Sequence, residues 1–138
     1  MQNNKYPNWL VSVEQAERLK ELDFNEPCIF SYSEGIGITA CIRIGSGDEP
    51  NFTDFIIGGN SPGSPLTDLP TYEQVFEWFR KKGFHSHIEY TSDNDMFKIN
   101  IFGILLQTGI SYFKTYEEAR EELVNKLIEV YKKEKRCI

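Results

Sequence analysis

Histidine and cysteine are scarce in this chain, with two and three copies among 138 residues. A closed zinc site takes four nitrogen, sulfur or oxygen ligands, so scarcity of these types leaves little room for one. Cys28, Cys41 and Cys137 show neither CxxC spacing nor the even count of a disulfide framework, which fits a reduced, cytoplasmic protein. No run approaches the ~20 apolar residues of a membrane span, and the opening "MQNNKYPNW" lacks the apolar core of a signal peptide. Basic residues are also in the minority, 15 Lys and Arg against 21 Asp and Glu, for a net charge of −6. That balance argues against a nucleic-acid partner. The one dense basic run, "KKEKR" (132–136), closes a predicted helix, where cations suit the negative end of the dipole.

What is present supports a folded core. Hydrophobic residues make up 40% and aromatics 14%, too apolar a mixture for a disordered chain. Three helix starts share one spelling: "SVEQ" at Ser12, "TYEQ" at Thr71 and "TYEE" at Thr115. Each places a hydroxyl three residues before Glu or Gln, the capping box that satisfies orphan backbone donors. Apolar residues then recur at helical spacing, predicting helices over about 12–22, 71–82 and 115–135. The stripes are Val13, Ala16, Leu19 and Leu22; then Tyr72, Val75, Phe76 and Phe79 with Trp78; then Tyr116, Ala119, Leu123, Leu127 and Val130.

Between the helices the period becomes two. "CIFSYS" and "IGITACIRI" flank Glu34-Gly35, which reads as a two-residue hairpin turn setting Phe30 against Thr39 and Cys28 against Cys41. "FTDFII" (52–57) is a third strand candidate, and "GGNSPGSPLTDLP" (58–70) reads as an exposed connector between halves 1–57 and 71–138 of a single domain. With a short strand near 110–113, the order is α-β-β-β-α-β-β-β-α, an α+β fold of antiparallel hairpins with three helices.

Both histidines lie in "GFHSHIEYTSDNDMFKINIFG" (83–103). Alternation sets His85, His87 and Glu89 on one face and Ser86, Ile88 and Tyr90 on the other. A four-residue turn, Ser92 to Asp95, matches faces with the returning strand and opposes Glu89 to Lys98 and His87 to Asn100. His85 and His87 are the chain's metal-ligand candidates, yet Glu89 lies ~13 Å along the strand from His85, too far to share an ion. The expectation is a solvated sheet face with no metal, no cofactor and no catalytic residue. "SDND" lacks the glycine and closing glutamate of a calcium loop, and "GGNSPGSP" lacks the Lys-Ser/Thr of a phosphate-binding loop.

Three segments, "WLVSVEQAERLKELDFNEPCIFSYS" (9–33), "PTYEQVFEWFRKKGF" (70–84) and "YFKTYEEAREELVNKLIEV" (112–130), resemble small uncharacterised proteins carried by prophages and other mobile elements of gut anaerobes. The chain departs from them at Asp23, where they usually carry glycine. The resemblance implies a phage-related, intracellular setting and no activity, cofactor or site residue. The functional expectation is a non-enzymatic protein-interaction module with a protein partner. The competing expectation is a small-ligand binder or enzyme with its site in the loops around 45–65.

Overall fold

The computed structural model describes residues 8–26, 28–34, 37–40, 67–104 and 111–136. It is an α+β fold whose elements run α1 (Val13–Glu21), β1 (Phe30–Ser33), β2 (Gly37–Ala40), β3 (Thr67–Leu69), α2 (Tyr72–Lys81), β4 (Ser86–Thr91), β5 (Met96–Ile101), β6 (Tyr112–Phe113) and α3 (Tyr116–Arg136). The strands form two antiparallel sheets, ordered β2-β1-β3 and β4-β5-β6. The chain divides into two compact units, Met1–Thr71 and Tyr72–Ile138.

In the first unit, α1 starts on a complete capping box. Ser12 Oγ accepts from Gln15 N at 3.1 Å and Gln15 Oε1 accepts from Ser12 N at 3.3 Å. Gln15, a position outside the predicted apolar stripe, is also buried. The helix ends on a double reversal: Asp23 N donates to Lys20 O and Phe24 N to Leu19 O, both at 3.1 Å. That Schellman pattern needs a left-handed residue, supplied by Asp23 at φ 67°. Phe24 is thereby turned into the core beside Leu19, and neither side chain is more than 1% exposed. α2 ends in the same way, with Gly83 at φ 96° and Phe84 N donating to Phe79 O at 2.9 Å. The two helices thus share one stop signal: a left-handed residue followed by phenylalanine.

The first sheet departs from the sequence reading in two places. Ser33 pairs with Gly37, Tyr32 with Ile38 and Phe30 with Ala40, so three residues join the strands and the register moves by one. Gly37 explains the change. It opens β2 opposite Ser33 at a φ of 93°, a left-handed conformation that glycine adopts readily and that a regular strand residue does not. The Cys28–Cys41 pairing depended on that register, and Cys41 lies outside the described residues. Cys28 itself is a buried free thiol, 3.4 Å from Glu26 O.

The second departure concerns the connector. Thr67, Asp68 and Leu69 are not exposed linker but β3, antiparallel to β1 and buried along its length. The neighbouring chain is tied in as well, because Val11 N donates to Pro70 O at 3.1 Å and Leu10 bridges Thr71. Three residues between prolines and polar breakers carry no readable period, so pairing with β1 decides their conformation. Residues 52–57, the other strand candidate, lie outside the described residues.

In the second unit, α3 packs on β4, β5 and β6 and against α2. Val75, Trp78 and Phe79 from α2 and Leu123, Val124, Leu127 and Ile128 from α3 are buried, with Ile99 and Ile101 from β5. Tyr131 gathers three rings, with centroids 5.3 Å from Trp78, 6.0 Å from Phe79 and 5.8 Å from Phe84. Of the predicted α3 stripe Ala119, Leu123 and Leu127 are buried and Val130 is half-buried, but at its start Tyr116 is 42% exposed. Helical side chains lean toward the N-terminus, which carries a first-turn residue beyond the end of its stripe. At this helix start Thr115 Oγ1 accepts from Glu118 N at 3.1 Å. The Glu118 carboxylate meets that same hydroxyl at 3.3 Å.

Candidate functional site

The histidine hairpin has the register its alternation predicts. Tyr90 pairs with Phe97, Glu89 with Lys98, Ile88 with Ile99 and His87 with Asn100, leaving a four-residue turn, 92–95. The turn closes on itself. Tyr90 donates to Asp95 Oδ1 at 2.6 Å, the Thr91 hydroxyl reaches Met96 O at 2.9 Å, and Asp95 takes the left-handed conformation at φ 56°. The Asp95 hydrogen bond holds the Tyr90 phenol above its usual pKa. Acid-rich "SDND" is therefore occupied in building a turn.

His85, His87 and Glu89 face solvent. The Asn100 amide nitrogen lies 3.3 Å from His87 Nε2 and 3.4 Å from Glu89 Oε1, bridging the two. Glu89 and Lys98 are opposed in register without forming an ion pair, because the Lys98 ammonium instead sits 5.6 Å from the centre of the Tyr112 ring. Among the described residues, no three His, Cys, Asp or Glu side chains gather closely enough to hold a metal. Replacing His85 and His87 together with Gln is expected to shift stability by about 0.5 kcal/mol or less, as at ordinary surface positions. Thermal denaturation with and without a chelator checks this: a chelator-sensitive loss of more than about 2 kcal/mol would mean a bound ion.

A row of rings marks the second unit's surface. Tyr90 lies 5.3 Å from Phe97, and Phe97 lies 6.0 Å from Tyr116. The Arg120 guanidinium continues the row, 5.5 Å from the Tyr116 ring centre and 4.3 Å from that of Tyr72. Tyr72 is buried, and its phenol is pushed up to about 12, first by burial and then by the Glu121 charge, with Arg120 opposing. Tyr90 is 53% exposed and Tyr116 42% exposed, so the row presents tyrosine faces on a fixed aromatic floor. β4, β5, α2 and α3 each supply a member. The sequence reading missed the row because its residues are scattered and Tyr116 was assigned to the core.

The first unit holds a polar group that its packing does not explain. Asp68, on edge strand β3, is 1% exposed, and neither carboxylate oxygen has a hydrogen-bond partner. Across the ladder stands Ser31, also buried. Burial raises the Asp68 pKa to about 6, against the opposing pull of the Lys20 charge. A carboxyl poised near neutrality can act as acid or base, but here it is closed off from solvent. Nothing in the sequence around Asp68 distinguishes it from the acids of a polar linker.

By architecture the chain is an α+β protein, with two three-stranded antiparallel sheets among the described residues. It matches no protein-family model, no curated protein and no solved structure. No helix among the described residues is long and apolar enough to cross a membrane.

Proposed function

We propose that this chain is a non-enzymatic protein-interaction module, an accessory protein of phage or mobile-element origin acting in the cytoplasm. The observation that supports this reading is the row Tyr90–Phe97–Tyr116–Arg120, with two tyrosines exposed on an aromatic floor. Tyrosine and arginine are among the residues over-represented at binding hot spots, and tyrosine offers large contact area at low entropic cost. Truncating such a residue typically costs ~2 kcal/mol or more of binding, about thirtyfold in affinity. The test is affinity capture from bacterial lysate with the wild type and with Tyr90→Ser/Tyr116→Ser. A partner retained by the wild type and lost by the double variant, at unchanged far-ultraviolet dichroism, is the expected result. A partner retained equally by both, or no specific partner under any condition, contradicts the reading.

Asp68 favours a second reading, a small-ligand binder or enzyme using the loops around 45–65. Those loops lie outside the described residues, and the unpartnered carboxylate follows them closely in sequence. A ligand-library thermal-shift screen separates the two readings. A true small ligand at 100 times its dissociation constant adds about 2.7 kcal/mol, whereas a protein-only module responds to none.

A further inference from the structure

We propose that the outer edge of β4 pairs with β4 of a second copy of this chain, antiparallel about a twofold axis at Ile88, to form a continuous six-stranded sheet. β4 ends its sheet, and among the described residues no strand pairs with its second edge. Its backbone polarity is fixed by two bonds. Phe102 N donates to His85 O at 2.8 Å, so odd-numbered β4 residues bond inward to β5. Ile99 N donates away from β4, to Ser111 O at 3.0 Å, in keeping with that phase. Ser86, Ile88 and Tyr90 therefore aim their N–H and C=O groups out of the sheet. The strand pairs with β5 without interruption from Ser86 to Thr91, and it contains no proline, lysine or bulge, the usual guards of an open edge.

The side chains select the register. An axis at Ile88 joins the outward groups of Ile88 to those of its copy and the outward groups of Ser86 to those of Tyr90. It also sets His87 against Glu89 twice, in the closer non-hydrogen-bonded positions. Moving the axis to Glu89 opposes two carboxylates, and moving it to His87 opposes two imidazoles. A one-residue slip would mismatch the two faces of the strands. With the Asn100 amide donating to His87 Nε2, a neutral imidazole carries its proton on Nδ1, available to a carboxylate. The other charged or titratable groups on this face are His85, which would meet Thr91 of the copy, and Lys98, held over Tyr112.

An edge this short buries little area, so the association belongs to the weak class of interfaces. Sedimentation equilibrium of the full chain, over a hundredfold concentration range reaching millimolar, should show a monomer–dimer equilibrium. Ser86→Pro places a ring where N–H points outward, a position that tolerates proline within the chain, and should weaken the dimer at least tenfold. Glu89→Lys should weaken it similarly, and the exchange His87→Glu/Glu89→His, which preserves the opposed pairs, should restore it. Mild oxidation of Ile88→Cys should link two chains through residue 88, because the Cα atoms of a directly opposed pair lie ~5.5 Å apart. Ser86→Cys, four residues out of register with its own copy, should not link. A chain that stays monomeric at all concentrations overturns the proposal. So does a dimer in which Ser86→Cys links as readily as Ile88→Cys. Either result leaves the tyrosine-row capture experiment standing, since that row is tested by its own substitutions.

Discussion

Replacing Phe79 with alanine should destabilise the second unit by about 3–5 kcal/mol, the range for emptying a buried aromatic site. Phe79 is fully buried and touches two other rings, Trp78 at 5.0 Å and Tyr131 at 6.0 Å between centroids. It also receives the backbone closure of α2 through Phe84 N. The cluster therefore cannot collapse into the space without moving the helix end and the entry to β4. Against a total stability of roughly 5–15 kcal/mol, such a loss removes a large share of what keeps a domain folded. Phe102 provides the control. It stands 86% exposed in the turn from Ile101 to Ile104, and its truncation should cost less than about 0.5 kcal/mol. Urea denaturation of both variants measures the contrast. Similar midpoints for the two would mean that Phe79 does not close the core.

Asp68→Asn should stabilise the protein at pH 7.5, a direction opposite to most substitutions of a buried residue. The Asp68 pKa lies near 6 in the folded chain and near 3.8 outside it. Below about pH 4 the carboxyl is protonated in both states and contributes nothing to pH dependence. Between about pH 4 and 6 the folded state keeps a proton that the unfolded state has released, so stability falls as pH rises. Above about pH 6 the full penalty is present. At 1.36 kcal/mol per pKa unit a rise from 3.8 to about 6 corresponds to about 2–3 kcal/mol. Asparagine keeps the shape without the charge, and its own unmet amide leaves a gain of about 1–2 kcal/mol at pH 7.5. At pH 4 that gain should be gone, leaving the variant level with wild type or up to about 1 kcal/mol less stable. Paired denaturation curves at the two pH values give the result. A variant less stable than wild type at pH 7.5 would show that a cation or donor holds the carboxylate, which would favour a ligand site there.

The second hairpin was legible in the sequence because two independent signals agree. Alternation assigns the faces of both strands, and only a four-residue turn lets those faces match, so every pair from Thr91–Met96 to His87–Asn100 follows. The first hairpin offered the same alternation but an ambiguous turn. Glu34-Gly35 and Gly37 each permit a loop, and the left-handed conformation of Gly37 decided for the longer one. β3 was illegible for another reason. "TDL" carries an aspartate, which is disfavoured in strands, and sits among breakers, so only its partner β1 makes it a strand. Helix ends were legible because caps and stops are local chemistry. The tyrosine row was not, since its members come from four elements that only folding brings together. Asp68 was hidden for the same reason: a buried carboxylate and an exposed linker acid look alike in sequence.

The protein-interaction reading meets its most direct test in hydrogen–deuterium exchange of the full chain with and without its captured partner. The row predicts new protection in Tyr90 and Thr91, in Met96 to Lys98 and at the start of α3 around Tyr116, with the α1 and β1 backbone unchanged. Protection confined to α1, β1 and β3, or none at all with the partner bound, would contradict it.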